Sequence, residues 1–250
     1  MKLLIVNPNI SHSVTELIAS EAQRSASPET ELTLRTAAFG VAYIETRAEA
    51  AIGAYATLAE LAEYHPGHDA AVVAAFGDPG LEAAREMLSI PVVGLTESAL
   101  MSAAMLGGRI GIVAISRRIR AWYGETVARY GMSSRLAGIR CLDEPLRDIG
   151  SVQEDKGEQL VALCQAAIKE DGADVLIIAG APLAGLARQV ESRIPVPIVD
   201  GVSCAVRQAE LLARLGPRPA EAGSYAVPPS KPCQGLSPAL AALVGREHVS

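Results

Sequence analysis

The sequence predicts an α/β protein of two pseudo-symmetric lobes, each a parallel sheet flanked by helices, with a ligand cleft between them. Three observations carry this reading. Short apolar runs alternate with amphipathic segments along the 250 residues, as strands joined by helical crossovers do. Half of the residues are apolar but only 4% are aromatic, so the core is Ala, Val, Leu and Ile, which suits helices packed on parallel strands. Residues 69–99 (DAAVVAAFGDPGLEAAREMLSIPVVGLTESA) also match residues 174–205 (DVLIIAGAPLAGLARQVESRIPVPIVDGVSCA). Asp69 aligns with Asp174, Gly80 with Gly185 and Leu81 with Leu186, all 105 positions apart. A period this long marks a duplicated lobe rather than a solenoid repeat.

The elements follow in order. KLLIV (2–6) is an apolar run ending at Asn7, a strand, and NPNIS (7–11) supplies turn and N-cap chemistry for a helix over 13–25. A strand at 30–36 and a helix at 47–63 come next. The run at 69–76 reads as a buried strand stopped by Gly77-Asp78-Pro79-Gly80, before a helix at 80–88. A strand at 91–94 and a helix at 96–106 complete the first lobe, residues 1–105. The second lobe, 106–215, repeats the plan with strands at 109–115, 135–141, 174–179 and 196–199 and helices at 118–130, 153–170, 184–192 and 202–214. Residues 216–250 form a Pro-rich tail with a short helix at 237–246, which either packs back on the first lobe or docks on a neighbour.

Composition narrows the function. The net charge is −6 and no long basic run occurs, which argues against a nucleic-acid partner. Cys141, Cys164, Cys204 and Cys233 are scattered, with no CxxC and no His/Cys cluster, so neither a disulfide framework nor a metal site is expected. The N-terminal apolar run is too short for a signal peptide or a membrane span. A cytoplasmic, homo-oligomeric protein that binds a small molecule and no membrane is expected. Gly107-Gly108 precedes a strand and lacks the GxGxxG pattern, so it is no dinucleotide fingerprint.

Five segments, NPNIS (7–11), GVAYIET (40–46), AAFGDPGLEAARE (74–86), PVVGLTESA (91–99) and IPVPIVDGVSCAV (194–206), resemble the aspartate/glutamate/hydantoin racemase superfamily, specifically its hydantoin and allantoin racemase branch. The resemblance implies a two-lobe α/β fold, no cofactor, and two cysteines on opposite faces of a small ligand. One removes a proton from a carbon next to a carbonyl and the other returns a proton to the opposite face. That chemistry needs a base and an acid with pKa values near working pH. A thiolate at a helix N-terminus meets the need. This chain departs from the pattern at both points: the first cysteine position is Ala75, and the second is Gly180 or, by a one-residue shift, Ala181. Neither position can exchange a proton, so the two-thiol mechanism is absent.

The remaining polar groups each have two readings. Asn7, Asn9 and Ser11 read as loop and cap residues or as ligand contacts. His12 is a surface histidine or a replacement base. Asp78 is a turn residue, a helix cap or an acid/base group. Cys204 is a small buried hydrophobe or a thiol near the cleft. Tyr43 stacks on a flat ring or packs, Glu45 is a solvated acid or a ligand contact, and Ser116 and Thr46 are hydroxyl donors. With Ala75, Phe76, Gly77, Gly180 and Ala181 these form the expected site, with backbone N–H groups after Ala75 and Gly180 as an oxyanion hole. The expected activity is a cofactor-independent racemase or isomerase on a hydantoin-like or amino-acid-derived substrate. The alternatives are a lyase or ring-opening hydrolase on the same scaffold, or a non-catalytic binding protein.

Overall fold

The computed structural model describes residues 1–143 and 149–244. Strands β1 (Lys2–Asn7), β2 (Glu31–Thr36), β3 (Ala70–Val73) and β4 (Val92–Gly94) form one parallel sheet in the order β2-β1-β3-β4. Strands β5 (Ile110–Ala114), β6 (Leu136–Cys141), β7 (Val175–Ala179) and β8 (Ile198–Asp200) form a second, in the equivalent order β6-β5-β7-β8. The second half of the chain thus repeats the path of the first, as the 105-residue match predicts.

The first sheet is buried on both faces, which is why its strands read as continuous apolar runs. Along β1, Leu3 and Ile5 point into one core while Leu4 and Val6 point into another, following the two-residue strand period. The second of these cores is closed by α2 (Arg47–Tyr64), α3 (Leu81–Met87) and α9 (Pro238–Val244), through Leu61, Leu81, Leu240 and Leu243. The terminal helix therefore packs back on its own chain, against α2. The end of its expected span, 245–246, lies outside the described residues.

The lobes interlock by exchanging helices. Helix α4 (Leu95–Leu106) leaves the first sheet but packs on β7 and β8, and α8 (Gly201–Leu215) leaves the second sheet but packs on β3 and β4. They also pack on each other, with Gln208 Nε2 donating to Ser98 O (3.0 Å) and Ser102 Oγ (3.1 Å). Helix α1 (His12–Ser25) lies against α8, and Glu210, 2% exposed on α8, accepts from Ser27 N (2.7 Å), Ser27 Oγ (2.9 Å) and Thr30 Oγ1 (2.6 Å). In the second lobe α5 (Arg120–Arg129) packs on β6, and α6 (Val152–Asp171) packs on β5 and β6.

Two elements differ from the sequence expectation. β3 stops at Val73 instead of running to 76, because its last partners, Val6 on β1 and Gly94 on β4, both pair with Val73. Beyond it Ala74 N still donates to Val6 O (2.7 Å), and the chain then turns out as a loop. The helix expected at 184–192 is broken into a short 3₁₀ turn (Ala181–Leu183), α7 (Leu186–Val190) and a second 3₁₀ turn (Glu191–Arg193), with Pro182 and Gly185 at the breaks.

Candidate active site

The loops after β3 and β7 meet. Ala75 and Phe76 from the first and Gly180, Ala181 and Pro182 from the second line one cleft between the lobes. Asn9 and Tyr43 line it from the first lobe, and Ile115, Ile119 and Tyr123 from the second. Ile44 completes the wall. The enclosed space is about 30 Å³, room for roughly two waters. A larger cavity of about 470 Å³ lies along β6, but Arg117 pairs there with Asp143 and Arg140 with Asp171 (2.6 Å), and neither strand-end loop reaches it.

Asn7 and Asn9 divide the two roles read for them. Asn7 is buried and holds the loop: its Nδ2 donates to Asn9 Oδ1 (3.0 Å), Ser11 O (3.2 Å) and Thr15 Oγ1 (3.0 Å). Asn9 Oδ1 also accepts from Ser11 N (2.9 Å), which turns its amide NH₂ toward the cleft. Ser11 caps α1 by accepting from Val14 N (3.4 Å), and Ser116 accepts from Arg118 N (3.2 Å) at a 3₁₀ turn. Thr46 and Glu49 form a capping box at the start of α2. Glu45 stands close to Tyr43; its negative charge and, after it, burial push the phenol's pKa up.

The three acid/base groups read from the sequence stand outside the cleft lining. His12 is exposed at the start of α1, with Nδ1 3.5 Å from Thr36 Oγ1. Cys204 lies one turn into α8, where burial pushes its thiol up to about 11, opposed by a hydrogen bond to Ser102. Asp78 is 1% exposed and caps α4 from across the loop. Its carboxylate accepts from Thr96 N (2.8 Å), Glu97 N (2.9 Å) and Tyr130 Oη (2.7 Å). Burial still raises it to about 6 against those three donors. Among the described residues no Asp, Glu, His, Lys or Cys lines the cleft, and no group of His, Cys, Asp and Glu is placed to hold a metal ion.

What the cleft offers is donors. The N–H groups of Phe76 and Ala181 donate to no acceptor among the described residues. Phe76 lies in a loop and Ala181 opens the 3₁₀ turn Ala181–Leu183; the α-helices follow later, α3 at Leu81 and α7 at Leu186, each behind an αL glycine, Gly80 and Gly185. Neither N–H group sits at the N-terminus of an α-helix, so no α-helix dipole stands directly behind the pair. Ile115 just beyond β5, Ile119 in the 3₁₀ turn after it and Tyr123 on α5 are not legible in the sequence as cleft residues, since local pattern does not show which side chains meet a loop of the other lobe.

Gly180 sits at φ 112°, a region L-residues rarely adopt, and a Cβ there would stand 3.7 Å from Pro182 Cδ and 3.8 Å from Tyr123 Oη. Ala75→Cys with Gly180→Cys is therefore expected to restore proton exchange on a hydantoin weakly or not at all. A cysteine at 180 costs about 1–3 kcal/mol of backbone strain. Deuterium incorporation followed by NMR checks this; recovery of the roughly 10²–10⁴-fold typical of acid/base groups would overturn it.

Comparison with known proteins agrees with this architecture. The family model described as Asp/Glu/Hydantoin racemase matches residues 3–209. A hydantoin racemase of Paenarthrobacter aurescens is 35% identical over 236 residues, 92% of this chain and 99% of the relative. Allantoin racemase from Klebsiella pneumoniae superposes with a TM-score of 0.91 at 33% identity, over 96% of this chain and 98% of that one. Arylmalonate decarboxylase, at 16% identity and a TM-score of 0.60 over 85% of this chain and 92% of that one, shares the fold alone. A full-length match in sequence and in strand order leaves one assignment: the chain belongs to the Asp/Glu/hydantoin racemase family.

Proposed function

We propose that this protein is a cofactor-independent enzyme of the racemase/isomerase type, acting on a small hydantoin-like or amino-acid-derived molecule without a thiol pair. The observation that carries the reading is the cleft itself: Ala75 and Gly180–Ala181 face one space, with unpaired N–H donors at Phe76 and Ala181. Removing a proton from a carbon beside a carbonyl moves the C–H electron pair toward the carbonyl oxygen. Preorganised donors stabilise that oxygen as charge develops. Tyr43 is the lining side chain with a route to a carboxylate. As its phenol takes the carbon-bound proton, its own proton passes to Glu45. Water gives a proton to the other side of the planar enolate and inverts the centre, and the hydroxide left behind takes back the proton held by Glu45 through Tyr43. The small ring would be oriented by the Asn9 amide, and the family's soluble small-molecule chemistry suits a cytoplasmic setting and a homo-oligomer. No described helix is long and apolar enough to cross a membrane.

A phenol whose pKa is raised is scarcely ionised near neutral pH, and its neutral oxygen is a weak base, so exchange is expected to be slow, and rapid racemisation of a 5-substituted hydantoin is not expected. Solvent-deuterium exchange followed by NMR, with hydantoins, allantoin, aspartate and glutamate as a panel, tests the proposal. Deuterium entering the carbon next to a carbonyl, reduced at least 10-fold in Glu45→Gln, supports it. Hydrolysis without exchange would favour the ring-opening reading, loss of CO₂ the lyase reading, and binding without turnover a ligand-binding role; each would overturn the isomerase proposal.

A further inference from the structure

Tyr123 is the side chain that the residue pattern did not single out and the cleft does. It sits in the first turn of α5 at 3% exposure, its ring wedged between Phe76 (centroids 4.7 Å) and Trp122 (5.5 Å). The hydroxyl lies beside the loop after β7 of its own lobe, 3.8 Å from where a Cβ at Gly180 would stand. A Cβ at 180 would be in ordinary contact with it.

This hydroxyl makes no hydrogen bond among the described residues, whereas that of Tyr130, further along the same chain segment, donates to Asp78 at 2.7 Å. The Tyr123 hydroxyl is also not among the buried atoms left without a partner, so it is open to the cleft that the residue lines. An O–H with no acceptor among the described residues, facing the cleft, is free to donate to a ligand.

We propose that Tyr123 is a ligand-contacting donor that takes the place of the missing thiol on the Gly180 side, holding a carbonyl or enolate oxygen together with the N–H groups of Phe76 and Ala181. This rests on the isomerase reading and deepens it. Burial pushes the phenol well above its ordinary range, followed by the charges of Cys141, Asp78 and Glu45, so it stays protonated and donates. A donor that keeps its proton recognises an acceptor oxygen, not a cation or an amine.

Tyr123→Phe keeps the ring packing and removes the hydroxyl. Unsubstituted hydantoin is the probe, with deuterium entry at its ring CH₂ read by NMR and its dissociation constant by calorimetry. Loss of one such donor typically lowers turnover about 10²-fold, and the fall is expected in kcat more than in KM, with the melting temperature unchanged or raised. Equal exchange in wild type and variant overturns the role of Tyr123 and leaves the isomerase reading standing. If wild type binds hydantoin without exchanging it, that reading falls, and Tyr123 stands when the variant binds at least about 10-fold more weakly and falls when the two bind alike. Hydantoin bound by neither protein overturns both.

Discussion

Gly77→Ala is expected to unfold the cleft. Gly77 lies at φ 103°, and an added Cβ would stand 2.2 Å from Trp122 Cζ2 and 2.4 Å from Cη2. Backbone strain of about 1–3 kcal/mol and a clash of about the same size add, because both arise in one rigid contact. A loss of about 4 kcal/mol lowers the melting temperature of a chain this size by roughly 8–16 °C. The contact cannot relax cheaply. Arg129 donates to Gly77 O (3.2 Å) and Gly77 N donates to Thr96 Oγ1, so the loop is pinned from two sides. Trp122 is the only tryptophan, so its fluorescence reports the contact directly. The emission should shift red as the ring is pushed out, and hydantoin binding should be lost with it, since Tyr123 is the next residue. A variant with unchanged melting and unchanged emission would show that the loop is softer than this packing implies.

Asp78→Ala is the second large effect. The substitution leaves Thr96 N, Glu97 N and Tyr130 Oη without their acceptor and removes the cap on α4. A loss of about 3 kcal/mol follows, from unmet donors at about 1–3 kcal/mol each, partly offset by removing a buried charge. The pH dependence has a definite sign. Burial raises the folded pKa to about 6, above the unfolded 3.8. The native state therefore holds the proton more tightly. This contribution to stability is fully present below the unfolded value and is lost as pH rises through about 6, at no more than about 1.4 kcal/mol per pH unit. The stability gap between wild type and Asp78→Ala should be wider at pH 5 than at pH 7.5 by chemical denaturation. A gap that widens toward pH 7.5 would mean that the three donors outweigh burial.

Asp78 also shows why a sequence reading of this site stops where it does. The residue type and the turn around it are legible: an acid before Pro79 that serves as a turn, cap or acid/base group. Which helix it caps is not, because its partners are Thr96 and Glu97 at the start of α4 and Tyr130 just beyond α5. Cys204 is similar. A thiol one turn into α8 looks close to the second cleft loop, yet α8 crosses to the first sheet and takes the thiol into the packing against α4.

Local and repeating information was enough for much of the protein. Buried parallel strands are apolar throughout, helices carry their period, and a duplicated lobe shows itself at 105 residues, so the elements, the repeated strand order and the facing of Ala75 and Gly180 follow from the chain. The absence of thiols at those two positions is also written there, once the family resemblance marks them. Only the tertiary structure decided the exchange of α4 and α8 between lobes, the return of α9 onto α2, and the arrival of Tyr123 beside Gly180. Each depends on contacts between residues far apart in the chain. Burial energy is non-directional and rewards any apolar face, so a pattern can say that a face is covered but not by what.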